Sequence, residues 1–216
     1  TKADNMFQIT PSASAAKVIA NDNCFQVCFT DPNQGTASAD YIASKGLATK
    51  VAVIYNSSDA YSSGIYDNFK AEAAAKGLDL VASEAFTGDS KQDFSSQLSK
   101  IKASGAELIF LPIYYQEASL ILSQAKNAGI TAKFFGCDGL DGLLNIENFD
   151  KSLAENVMLL TPFAANATDE TTKKFVAAYN AKYDPSTLNQ FAADAYDAVY
   201  IVKAAAEKAG VTGDMS

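Results

Sequence analysis

The chain has 216 residues, 48% of them apolar and 19% charged, a globular composition long enough for one large domain or two small ones. Its formal net charge is −8 and no basic cluster exceeds the pair Lys173-Lys174, which argues against nucleic acid as a partner. The absence of histidine excludes Ser-His and Cys-His nucleophile pairs, the zinc-peptidase helix motif and most zinc sites, leaving carboxylate, Lys or Tyr chemistry.

Met6-Phe7-Gln8-Ile9 reads as a short strand, and Thr10-Pro11-Ser12-Ala13-Ser14-Ala15 as a strand-to-helix turn before an Ala/Val/Ile stretch. Free N–H groups at such a turn, with the Ser12 and Ser14 hydroxyls, suit an anion. A plain helix N-cap accounts for the same residues, and on this segment alone it is the favoured reading.

From residue 24 a rhythm sets in. Cys24 to Phe29 is a predicted strand, and Asp31-Pro32 starts a helix that closes at Lys45-Gly46-Leu47. Strands follow at Val51–Tyr55, Leu80–Phe86, Leu108–Ile113 and Lys133–Phe135. Between them lie helices that end at Gly77, Gly105 and Gly129. These glycines, with Gly46, recur after 31, 28 and 24 residues, the length of one βα unit. Helical spacing marks Ile65, Phe69 and Ala73, then Phe94, Leu98 and Ile101, then Ala118, Ile121, Leu122 and Ala125 as inward faces. Strands alternating with helices predict a parallel, doubly wound α/β sheet with right-handed crossovers. Beyond residue 142 come a strand at Val157–Leu160 and helices over 168–183 and 190–209. Their expected core faces are Phe175 and Tyr179, then Ala195, Val199 and Val202.

Cys24, Cys28 and Cys137 make an odd count without a C-x-x-C pattern. On a strand, Cys24 and Cys28 would stand roughly 13 Å apart, too far for a disulfide, so they read as small buried hydrophobes. No run approaches a membrane span, and the amino end has no basic-then-apolar signal region, although a cleaved signal would leave none.

Polar chemistry converges on one rim. The loops after strands 51–55, 108–113 and 133–135 carry Tyr61, Tyr114 and Asp138, and loops past the carboxyl ends of parallel strands are where open α/β sheets bind ligands. Asp138, in Gly136-Cys137-Asp138-Gly139, is expected to meet a cation, with Tyr61 and Tyr114 supplying rings and hydroxyls. Each also has a plainer reading: an Asx-turn for Asp138, core-edge aromatics for the tyrosines. Asp138-Gly139-Leu140-Asp141-Gly142 lacks the alternating ligands and final Glu of a calcium loop.

Taken in order, several stretches resemble the type I periplasmic binding proteins, specifically the branched-chain amino acid receptors of ABC importers. They are Ile9–Ser14, Phe29-Thr30-Asp31-Pro32-Asn33-Gln34-Gly35, Val51–Tyr55 with Tyr61-Ser62-Ser63-Gly64, and Asp93–Leu98. Leu111–Tyr115, Gly136–Gly139 and Tyr196-Asp197-Ala198 complete the set. The resemblance implies a non-enzymatic solute receptor outside the cytoplasm, in the periplasm or as a cell-surface lipoprotein, with no cofactor or metal and an ABC transporter membrane permease as partner. Such receptors hold an amino acid in a cleft between two α/β lobes and capture it by hinge closure. Carried over by position, Ser12, Ala13 and Ser14 would bind the ligand carboxylate and Asp138 its ammonium. Tyr61 and Tyr114 would cover it, and Phe191 would meet its side chain.

The resemblance also implies that the chain is a fragment: residues 36–160 form a nearly complete second lobe, and 1–35 with 161–216 form part of the first. Two alternatives remain open from the residues. One is the ligand-sensing domain of a receptor or regulator. The other is an enzyme on a doubly wound fold using Asp138 or Glu117 as acid–base with a tyrosine.

Overall fold

The computed structural model describes residues 2–211; Thr1 and residues 212–216, the end of the expected 161–216 segment, lie outside the described residues. The chain divides into two compact units, Thr30–Thr161 and Thr1–Phe29 with Pro162–Ser216.

In the larger unit, helix starts and stops follow local chemistry. The Thr30 hydroxyl accepts from the Asn33 N–H to cap α1 (Asp31–Ser44), and Pro32 occupies its first turn, where no N–H is needed. Asp59 caps α2 (Ala60–Ala75) through the Ser62 N–H at 3.0 Å. After α1, α2, α3 (Ser95–Ser104) and α4 (Tyr115–Asn127), the chain turns through Gly46, Gly77, Gly105 and Gly129. Their φ values of 59, 75, 70 and 67° lie in the left-handed region that glycine enters without a steric penalty.

The strands are β3 (Lys50–Asn56), β4 (Asp79–Phe86), β5 (Leu108–Leu111), β6 (Lys133–Gly136) and β7 (Val157–Leu159). They pair in parallel in the order β4-β3-β5-β6-β7. β5 stops two residues short of the expected Ile113 because Pro112 has no N–H to give the ladder. Alternate residues of the central strands enter opposite cores. Val51, Val53, Leu108 and Phe110 pack with Ile42, Ile65 and Phe69 of α1 and α2. Ala52, Ile54, Ile109 and Leu111 pack with Leu98, Ile101 and Ile121 of α3 and α4. The sheet is thus covered on both faces, which is why its central strands read as unbroken apolar runs. Strand order reverses between β3 and β5, the position at whose carboxyl rim open α/β sheets bind ligands.

α1 and α2 touch backbone to backbone. A Cβ on Gly35 would come within 2.5 Å of the Ile65 carbonyl oxygen and 2.7 Å of the Phe69 nitrogen. On Gly64, a Cβ would lie 3.4 Å from the Asp31 carboxyl. This contact explains where the units divide. The expected boundary at residues 35 and 36 falls inside α1, and the larger unit holds that helix whole.

In the smaller unit, β1 (Gln8–Thr10) pairs in parallel with β2 (Cys24–Gln26), with Ile9 opposite Phe25. The predicted strand Cys24–Phe29 is shortened, so Cys28 lies outside it and the extended-chain separation from Cys24 does not apply; both side chains are buried. Between β1 and β2 runs a single 3-10 turn, Ala16–Ile19, in place of the helix expected after Ala15. α5 (Glu170–Asn180) is capped by Asp169 and α6 (Gln190–Ala209) by Asn189. The first is shorter than the predicted 168–183, because the chain breaks before the 3-10 turn Pro185–Thr187.

On α6 the inward stripe is Gln190, Ala193, Asp194 and Ala198. Of the expected face, Val199 is 67% exposed and Ala195 is exposed as well. Apolar residues occur on both sides of this helix, and periodicity alone does not choose between them. No helix among the described residues is long and apolar enough to cross a membrane.

Gly35→Ala is expected to destabilise the chain by about 2–3 kcal/mol, since both clashing atoms are backbone and the helices must part. Gly64→Ala, with only 3.4 Å contacts to a side chain, should cost clearly less. Urea unfolding of the two variants against the parent checks this; a cost for Gly35→Ala equal to that of Gly64→Ala would refute the backbone contact.

Candidate functional site

Three rim loops of the larger unit meet as their strand order requires. β3, β5 and β6 are neighbours, and Tyr61, Tyr114 and Asp138 follow them in turn. Tyr61 occupies the first turn of α2 and Tyr114 the N-cap of α4, while Asp138 begins the 3-10 turn Asp138–Leu140. The tyrosine rings stack with centroids 4.9 Å apart and planes 20° from parallel. Tyr61 lies beneath, 7% exposed, and Tyr114 above it, 43% exposed.

Asp138 is buried, and its surroundings set its protonation. The Tyr61 hydroxyl donates to Asp138 Oδ1 at 2.6 Å and accepts from the Gly139 N–H at 2.9 Å. The Asp138 N–H donates to Gln34 Oε1 at 3.3 Å. Burial pushes the Asp138 carboxyl up; hydrogen bonding from Tyr61, Gln34 and the Gly139 amide opposes this by favouring the charged form. Gly139 admits no side chain, because a Cβ would stand 2.7 Å from both the Ile113 carbonyl oxygen and the Tyr61 hydroxyl. Burial also pushes the phenol of Tyr61 well above its ordinary value, helped by the charges of Cys137 and Asp138. Tyr114 is pushed up to about 12, by burial and then by Asp59, Asp138, Asp31 and Glu117.

The rim therefore presents a half-exposed aromatic face in an acidic neighbourhood, with a carboxylate below it. Such an arrangement favours positive over negative charge at the ring face. The Tyr61 hydroxyl both donates to Asp138 and accepts from Gly139, and its ring stacks under that of Tyr114. Glu117, the other carboxylate considered for acid–base work, is buried, with Oε1 3.4 Å from Lys91 Nζ. Among the described residues no cluster of His, Cys, Asp and Glu could hold a metal ion.

The remaining predicted residues lie in the smaller unit. Ser12 is partly buried and Ser14 buried, both ahead of the 3-10 turn Ala16–Ile19. The Ala13 N–H is already donated to Thr10 Oγ1 at 3.0 Å, so the anion cradle inferred there loses one amide and lacks an α-helix amino terminus behind it. Phe191 is partly buried in the first turn of α6.

Sequence reasoning did not single out Gln34. The signal was available: with α1 starting at Asp31, positions 31, 34, 35, 38, 39 and 42 form one buried stripe, and an amide in such a stripe demands a polar partner.

The sequence matches the model of the periplasmic binding protein family over residues 1–215, and the chain belongs to that family. It is 32% identical over 214 residues to Leu/Ile/Val-binding protein homolog 3 of Brucella melitensis, covering 98% of this chain and 56% of that protein. It is 30% identical over 210 residues to the leucine-, isoleucine-, valine-, threonine-, and alanine-binding protein of Pseudomonas aeruginosa, covering 96% and 55%. The fold is similar to that of the branched-chain amino acid transporter substrate binding protein LivJ from Streptococcus pneumoniae, solved in complex with isoleucine. That likeness has a TM-score of 0.84 and 30% identity, and covers 95% of this chain and 58% of the other. The chain thus spans about half the length of the curated relatives it matches.

The raised carboxyl of Asp138 has a consequence for stability. The folded chain holds this proton more tightly than the unfolded chain, so Asp138 favours folding at low pH. That contribution is lost as pH rises from the ordinary aspartate value through the raised midpoint. Asp138→Asn removes the titration, and its stability relative to the parent should increase with pH across this window. Urea melts in steps from about pH 3 to 7 measure the difference; a flat difference would mean the carboxyl is not desolvated.

Proposed function

We propose that this chain is the ligand-binding part of an extracytoplasmic solute receptor that captures a small amino acid, of the branched-chain class, for an ABC importer. Asp138 receives the ligand ammonium, and the Tyr114 ring shields that contact from water. The Ser12-Ala13-Ser14 loop takes the ligand carboxylate through Ser12 and Ser14, and Phe191 meets the apolar side chain. The receptor works in the periplasm or at the cell surface and delivers the ligand to a membrane permease.

The observation that carries the reading is the buried carboxylate of Asp138, seated at the sheet rim under a stacked tyrosine pair. A carboxylate held this way forms a short, charge-assisted bond with an ammonium that bulk water does not weaken. The reading also draws support from the isoleucine bound to the Streptococcus pneumoniae relative and from the names of the Brucella and Pseudomonas relatives. A zwitterion needs groups for both its charges, and the sequence supplies hydroxyl and amide donors at residues 12–14 for the negative end. The ligand then stabilises whichever conformation engages both its ends, and capture is a population shift towards that state.

Calorimetry with L-isoleucine tests the assignment. Asp138→Ala should weaken binding at least a hundredfold, the upper range for losing a hydrogen bond to a charged group. Tyr114→Ala should weaken it about tenfold while leaving stability nearly unchanged, because that side chain is half-exposed. Unaltered isoleucine affinity in Asp138→Ala would overturn the role given to this residue.

A further inference from the structure

The loop that bears Asp138 is gripped from two helices, and only one grip belongs to a residue with a rim position. Tyr61 comes from the first turn of α2. Gln34 comes from the first turns of α1, is wholly buried, and accepts the Asp138 N–H through Oε1 at 3.3 Å. The same side chain favours the charged form of the Asp138 carboxyl. A buried primary amide costs more than an apolar side chain of the same size unless its polarity is used. Gln34 reaches the loop because Gly35, the next residue, lets α1 lie against α2 with no side chain between them.

We infer that Gln34 is a positioning residue for Asp138: it fixes the backbone and the direction of the carboxylate that receives the ligand ammonium. The inference rests on the role proposed above for Asp138. Gln34 touches no ligand in this scheme and acts through the aspartate alone.

The titratable groups facing Asp138 are Tyr61 from α2, Tyr114 from the start of α4, and Cys137 and Asp141 from its own loop. Asp31 of α1 faces Tyr114 and Cys137 from the same side as Gln34. Tyr61 and Tyr114 stay protonated across the acidic range, so a pH dependence there reports the carboxylates.

Gln34→Met keeps the side chain's length and removes its polarity. Two readouts are needed: the carboxyl carbon-13 shift of Asp138 followed through a pH titration, and L-isoleucine affinity at about pH 5 and about pH 8. The expected result is a higher Asp138 midpoint, with affinity lost roughly tenfold at the lower pH and only a few-fold at the higher. An Asp138 midpoint that does not move overturns the inference, whatever happens to affinity, because a merely structural loss would weaken binding equally at both pH values. Should Gln34→Met fail to fold, Gln34→Glu retains the acceptor for the Asp138 N–H and adds a charge. It must then raise the midpoint, and an unmoved one overturns the inference. The underlying reading fails separately, if Asp138→Asn binds isoleucine as the parent does; the Gln34 coupling is then still judged by the carbon-13 titration.

Discussion

The 2.6 Å hydrogen bond from Tyr61 to Asp138 is the constraint around which the rim of the larger unit is built. Taking a carboxylate out of water is costly, and the cost is tolerated only where donors replace the lost hydration. Here the Tyr61 hydroxyl on α2 donates to the carboxylate, the Gly139 N–H donates in turn to that hydroxyl, and Gln34 of α1 accepts the Asp138 N–H. Neither Tyr61 nor Gln34 would reach Asp138 if β6 were not two strands from β3 in the sheet, or if α1 and α2 were held apart by a side chain at position 35. The strand order and the helix contact are therefore part of the site's chemistry.

The cation preference proposed for the rim has its source in charge. The phenol of Tyr114 is raised first by burial and then by Asp59, Asp138, Asp31 and Glu117, so that ring has acidic neighbours. An anionic solute would be repelled there, and a cation drawn to the ring face. On the proposed reading, a zwitterion would enter with its ammonium leading.

Most of the larger unit was legible in the sequence, because each of its signals is local. The four glycines at helix ends need a left-handed backbone whatever surrounds them, and all four have it. The faces set by Ile65, Phe69, Leu98, Ile101 and Ile121 are buried because only one side of each helix is apolar. α6 has apolar residues on two sides, so burial there was decided by tertiary partners that a periodic pattern does not contain. The same limit applies after Ala15, where a small-residue stretch compatible with a helix forms one 3-10 turn. Of the rim residues, Asp138, Tyr61 and Tyr114 could be placed from strand order alone. Gln34 could not, since its partner lies 104 residues away and the two meet only through the packing of α1 on α2.

The jammed glycine at position 139 has a further thermodynamic meaning. With the Ile113 carbonyl on one side and the Tyr61 hydroxyl on the other, this turn is closely packed before any solute arrives. On the proposed reading, a turn already ordered by folding would surrender little configurational freedom at encounter, and more of the electrostatic gain would be kept as affinity.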